Sequence, residues 1–179
     1  RANGKLVFPA KCMLVAAQNP CPCGYYQDSA HECTCSAPQI VRYQKRISGP
    51  LLDRIDIHID VPAVAVDKLT EEEAGQTEDS AAIRARVQKA RDAQLKRFAG
   101  AGLSSNSELT SKNIKLYCHL SKECVELLKQ AVLSLNLSGR SYYRIIKTSR
   151  TIADLEGDEE IKPQHIAEAL QYRPRTSAL

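Results

Sequence analysis

From residue 79 onward the chain carries helix starts and stops at short intervals and no strand signal, which restricts that half to packed helices. Ser121, with Glu123 and Glu126 close behind it, and Ser138, ahead of Gly139, have short polar side chains that accept the orphan amides of a first helical turn. Gly157 is a stop, since glycine takes the left-handed conformation that closes a helix, and Pro163 suits a first turn. The expected helices are 80–99, 111–117, 121–135, 138–156 and 163–172. Gly100-Ala101-Gly102 ends the first of these, and 104–107 is a loop.

The first 62 residues read differently. Residues 6–8 and 12–17 are expected β segments broken by Pro9, the second apolar enough for a buried central strand that Pro20 brings to an end. A cysteine-bearing loop follows, then a predicted helix over 37–47 with Pro38 in its first turn and Ile40, Val41, Tyr43 and Ile47 as its apolar stripe. Gly49-Pro50 signals a turn, and the period of two through Ile55, Ile57, Ile59 and Val61 predicts a half-buried strand. Residues 67–80 are acidic and contain Gly75, so they read as a connection. The expected organisation is an α/β part at 1–66, a linker at 67–79 and an all-α part at 80–179, without internal repeats.

A hydrophobic content of 43% is adequate for a packed core. Lys and Arg exceed Asp and Glu by four and the pI is near 8.7, so charge alone does not identify a DNA partner. No apolar run could span a bilayer, and Arg1-Ala2-Asn3-Gly4-Lys5 has neither an initiating Met nor the apolar centre of a signal peptide. The expectation is a cytoplasmic segment of a longer chain, without a membrane partner.

Four of the seven cysteines crowd into fifteen residues as Cys21-Pro22-Cys23 and Cys33-Thr34-Cys35, separated by nine residues. In a reducing compartment such clustering favours a metal over disulfides, and four thiolates suit tetrahedral structural Zn2+. The two-residue spacer of familiar zinc knuckles is absent, so free thiols in a tight loop or a redox switch stand beside that reading. His31 is a possible substitute ligand. Cys12, Cys118 and Cys124 read as small core residues.

Three polar residues stand out for anion chemistry. Arg54, in Leu51-Leu52-Asp53-Arg54-Ile55-Asp56, sits at the entrance of the expected strand, where its planar fork of donors suits phosphate or carboxylate. The alternative is an ion pair with Asp53, Asp56 or Asp60. Asn19 ends the expected central strand, where open α/β sheets bind ligands, although Asn-Pro also begins ordinary turns. Arg140 falls in the first turn of the 138–156 helix beside free amides, a position the helix dipole disfavours for a cation unless an anion compensates. His58, His119 and His165 have no ligand-spaced partner and read as satisfied or solvated. There is no G-x-x-x-x-G-K-[ST] loop and no acidic run after an apolar strand, so these residues cannot form a complete nucleotide site alone.

Taken together, Asn19-Pro20-Cys21-Pro22-Cys23-Gly24, the Ser48 to Asp56 segment, the Arg140 helix with Thr151-Ile152-Ala153-Asp154-Leu155, and the closing 166–173 resemble the C-terminal half of a magnesium-chelatase-like AAA+ ATPase of the ComM/YifB type. The resemblance implies the C-terminal part of an AAA+ α/β core followed by a helical lid. It assigns Asn19 to sensor 1, Arg54 to the arginine finger offered to a neighbouring subunit's γ-phosphate, and Arg140 to sensor 2. It further implies ATP and Mg2+ in the parent protein, a homo-hexameric ring, and DNA as substrate, since ComM-like proteins are regarded as branch-migration helicases of natural transformation. Arg1, Lys5 and Lys11 could touch DNA in that setting or simply be solvated. This segment alone is expected to be monomeric and inactive. The competing readings are a zinc-stabilised nucleic-acid or protein interaction module, and a chelatase-type motor inserting metal into a porphyrin.

Overall fold

The computed structural model describes residues 4, 6–8, 12–62 and 78–174, and the chain divides into two compact units, Arg1–Arg46 and Ile47–Leu179. Arg1, Lys5 and Lys11, and the expected linker up to residue 77, lie outside the described residues.

In the first unit, helix α1 spans Ala37–Gln44 with proline in its first turn. The Ser36 N–H donates to Gln39 Oε1 at 2.9 Å, half of a capping box. The helix stops three residues before the expected end, and Lys45 and Arg46 continue it only as a turn. At its far end Gln44 Nε2 donates to the Pro20 carbonyl at 3.1 Å, tying α1 to the residue that precedes the cysteine loop.

The strand expectations are not met. Among the described residues the only β pairing is an isolated parallel bridge between Leu120 and Ile161. Residues 6–8 and 12–19 are irregular, with Met13 89% and Val15 82% exposed, and Cys12 is exposed rather than in the core. Residues 55–61 likewise form no strand, and Ile57 and Ile59 are exposed. The physical reason is that a strand's amides and apolar face are satisfied by neighbouring strands, and no described segment supplies one.

The second unit is helical: α2 Gly49–Leu52, α3 Ser80–Arg97, a 3₁₀ turn Asn106–Glu108, α4 Ser111–Tyr117, α5 Lys122–Ser134, α6 Gly139–Glu156 and α7 Pro163–Gln171. The caps are those the sequence marks. Asp79 accepts from the Ala82 amide at 2.6 Å, Ser121 from Cys124 and Ser138 from Ser141, each at 3.2 Å. Gly157 closes α6 at φ +79°, where a side chain would be strained. Phe98, Leu109, Ile114, Leu128, Ile145, Ile146 and Ile166 form the core, with Tyr117 edge-on to Phe98 at 5.0 Å. Cys118 and Cys124 are buried, as expected.

A polar cluster runs through this apolar interior. Asp154, its side chain 1% exposed, receives both guanidinium arms of Arg97, the Arg150 Nε at 3.1 Å and the Asn106 Nδ2 at 2.8 Å. Arg150 also donates to the carbonyls of Glu159 and Asp158 at 2.7 and 2.5 Å, so its remaining donors hold the turn after α6. Removing one partner of such a set strands a buried charge, at a cost of about 3–5 kcal/mol. Asp154→Ala should therefore lower the unfolding free energy of the helical unit by roughly that amount in urea titrations, and a loss below about 1 kcal/mol would mean the cluster behaves like a surface pair.

Candidate functional site

The four clustered cysteines come together. Cys21, Cys23 and Cys33 have Sγ separations of 3.3, 3.5 and 3.7 Å, and with Cys35 all four sulfurs lie within 4.8 Å of one another. These distances are far beyond a disulfide bond. They approach the edge of about 3.8 Å for a tetrahedron whose zinc–sulfur bonds are about 2.3 Å. A turn folds the first C-x-C pair back: the Gly24 amide donates to the Cys21 carbonyl at 3.1 Å, and Gly24 takes φ +89°. Asp28 shapes the intervening loop by accepting the Ala30 and His31 amides at 2.7 and 2.9 Å. His31 pairs with Asp28 and stacks near Tyr25, outside the sulfur cluster.

The thiols differ in acidity. The Tyr25 backbone N–H draws the Cys23 thiol down to about 5. At Cys33 the Cys35 amide pulls the same way, but burial and the neighbouring Cys23 and Cys21 thiols outweigh it and push this thiol up to about 12. Four sulfurs at these separations suit a divalent cation, which displaces thiol protons as it binds.

Asn19 belongs to the same unit, exposed at the end of the irregular 12–19 stretch. Its Nδ2 lies 4.0 Å from the position a Cβ would take on Gly24, so it stands beside the turn that folds the first cysteine pair.

Arg54 and Arg140 belong to the helical unit. Arg54 follows the short α2 helix, not a strand entrance, and is exposed. Its Nη1 donates to the Pro50 carbonyl at 2.7 Å, and it has no acidic partner among the described residues. Two of the three acids that were its alternative partners, Asp53 and Asp56, are taken by others. Asp53 accepts from the hydroxyls of Ser141 at 2.6 Å and Ser138 at 3.1 Å, and from Arg173 Nη2 at 2.8 Å. Arg144 reaches Asp56 at 3.3 Å and the Asp53 carbonyl at 3.2 Å. The His58 amide donates to the Tyr172 carbonyl at 2.9 Å, and Arg173 Nη1 to the Ile55 carbonyl at 3.4 Å.

This clamp ties the segment that carries Arg54 to the first turn of α6, which carries Arg140. The residue before Arg54 is hydrogen-bonded to the residue after Arg140, while Arg140 is exposed on the first turn of α6 with no partner among the described residues. Asp53, Ser141, Arg144 and Arg173 are the site residues that sequence reasoning missed. Asp53 entered only as a possible partner of Arg54, and nothing local connects it to positions 88 and 120 residues away.

His165 and His58 are each held by hydrogen bonds within the helical unit. His165 is fully buried, accepts the Lys162 amide at Nδ1 (3.0 Å) and therefore presents Nε2–H to Glu156 at 2.9 Å. His58, half-buried, meets the Leu52 carbonyl at 3.1 Å.

The Ser141 hydroxyl first, then Ser138 and Arg173, hold the Asp53 carboxyl below its usual range. A carboxyl with a lowered folded-state pKa stabilises the fold above its unfolded pKa of about 3.9, and that contribution disappears as pH falls through the lower value. Asp53→Asn should thus cost about 1–2 kcal/mol at neutral pH, with the gap from the unaltered protein closing in acid. Unfolding titrations at pH 7 and at about pH 2–3 check this, and an equal gap at both would contradict it.

The family model described as magnesium chelatase, subunit ChlI C-terminal, matches residues 77–173, and the one described as magnesium chelatase, subunit ChlI, matches residues 1–69. Over 173 residues the chain is 46% identical to competence protein ComM of Haemophilus influenzae, 38% to the uncharacterized protein YifB of Escherichia coli and 36% to YifB of Salmonella typhimurium. Each comparison takes in 97% of this chain and 33% of the relative, so the chain spans about a third of the length of the curated relatives it matches. With both family models meeting across its length and these relatives matching nearly all of it, the chain belongs to the magnesium chelatase family, as a protein of the ComM/YifB type.

Proposed function

We propose that this chain is the sensor 1 to lid portion of an AAA+ ATPase that turns ATP hydrolysis into remodelling of DNA in competence, as a homo-hexameric ring. The observation that carries the reading is the Asp53 clamp. With Asp53 and Asp56 engaged by Ser138, Ser141, Arg144 and Arg173, the Arg54 guanidinium keeps most of its donors free and exposed. The name of the relative competence protein ComM supports the cellular setting.

The sequence holds no phosphate-cradling loop, so its residues do not by themselves fit ATP with Mg2+, and the nucleotide must be held by residues outside these 179. What this chain supplies is charge and orientation. Arg54 offers its fork to phosphate oxygens of a nucleotide held by a neighbouring subunit, where it stabilises charge that grows during transfer. Arg140 starts one residue from the Asp53–Ser141 tie, and we infer that it reaches the same phosphate cluster as Arg54. Asn19 orients the attacking water. The cysteine cluster, as structural Zn2+, fixes the turn beside Asn19.

In the full-length protein Arg54→Ala should lower the turnover of ATP by about 10³ or more while nucleotide affinity changes only a few-fold. Arg140→Ala should weaken both affinity and turnover. Steady-state hydrolysis with and without DNA, beside nucleotide titrations, reads these effects, and unaltered turnover in Arg54→Ala would remove the finger role.

The sulfur geometry favours zinc as a resident structural metal, the feature that a pure interaction module would share. Metal analysis of the purified chain should find about one zinc per molecule, lost in Cys21→Ser/Cys23→Ser. Metal-free protein with four reactive thiols would exclude it.

A further inference from the structure

The charge of this chain is unevenly spread. Up to Arg46 there are six Lys or Arg and two Asp or Glu; from Ile47 onward there are nineteen of each, so the whole basic excess belongs to the first unit. One of its two acids, Asp28, is occupied by its own loop amides and His31. Arg42, Lys45 and Arg46 are exposed, with no acidic partner among the described residues.

Two of these cations, Arg42 and Arg46, line a defined place. An open cleft of about 510 Å³ lies between the cysteine loop, at Cys23 and Cys35, and the face of α1 and its following turn that carries Gln39, Arg42, Tyr43 and Arg46. Spacings of three, four and seven put those four side chains on one helical face. The Arg46 guanidinium lies 5.8 Å from the centre of the Tyr43 ring, which makes an aromatic and cationic platform at one end of the cleft. The platform is held by the cysteine loop: Ser36, the cap of α1, follows Cys35 directly, and Gln44 is bonded back to Pro20.

The geometry points to this cleft as a binding site for single-stranded nucleic acid, with Arg42 and Arg46 taking backbone phosphates and Tyr43 stacking a base. Unpaired arginines alone would suit any polyanion. The aromatic platform beside them selects a strand with unstacked bases, because base stacking on aromatic rings accompanies phosphate contact in sequence-tolerant single-strand sites. An acidic peptide would use the arginines and leave the ring without a role. The inference rests on the reading that the intact protein works on DNA, but it concerns a surface separate from the arginines assigned to hydrolysis.

The test uses the full-length protein without nucleotide and follows fluorescence anisotropy of labelled oligothymidine and oligouridine across a salt series. Arg42→Ala/Arg46→Ala should weaken binding about tenfold or more and reduce the slope of log affinity against log salt by about 1.4, since each phosphate contact on a single strand contributes about 0.7. Arg42→Lys/Arg46→Lys should keep the slope, and Tyr43→Leu should lose affinity at an unchanged slope. The tighter oligomer in the unaltered protein names the polymer. Unchanged affinity and slope in the double alanine variant would overturn the proposal. So would loss of bound zinc together with affinity, which would make the arginines counter-ions of the thiolates, and loss of ring assembly with DNA affinity intact, which would make the face a protein interface. ATP turnover without DNA should be unaltered in these variants, so a failed finger assignment and a failed strand site give separate results.

Discussion

One buried carboxylate organises the helical unit. Asp154 gathers Arg97 from the end of α3, Arg150 from its own helix and Asn106 from the 3₁₀ turn, and Arg150 extends the set to the carbonyls after α6. Apolar packing around Leu128, Ile145 and Ile166 is tolerant of small shifts, whereas this set is satisfied in one arrangement only. Burial lowers the pKa of Arg150 while Asp154 raises that of Arg97, which fits one carboxylate serving two cations of different exposure. The register of α3 against α6 follows from it.

That register makes the second polar contact possible. Once α6 and α7 are set, Ser138, Ser141 and Arg173 converge on Asp53, and the residues after α2 are held against the helical unit by backbone and side-chain bonds together. Arg173 is the costly member: its side chain is 7% exposed and its Nε is buried without a partner among the described residues. An unsatisfied donor is tolerated where the other donors of the same group hold a charge and two chain segments at once. The Arg54 segment is thereby fixed to the helical unit.

The first unit solves a different problem. With little apolar material of its own in described contact, it relies on short-range devices: the Asp28 turn, the Gly24 turn and four thiols close enough for one metal ion. Small units with few buried apolar residues commonly use such staples. Here the staple lies next to both Asn19 and the Arg42–Arg46 face, so a single structural element orders the two polar surfaces of the unit.

Much of the helical unit was legible in the sequence, because its information is local. Ser121, Ser138 and Gly157 act on amides and carbonyls within one turn of themselves, and the helices begin and end within a few residues of where those signals place them. The cysteine cluster was legible for the same reason, its four members lying within fifteen residues. The strands at 12–17 and 55–61 were not, since alternation and apolarity describe what a segment would do beside partners that the described residues do not provide. Nor could the sequence decide between the partners open to Arg54. That choice belongs to the tertiary structure, because Asp53 is claimed by residues 88 and 120 positions away that reach it only after the helices pack.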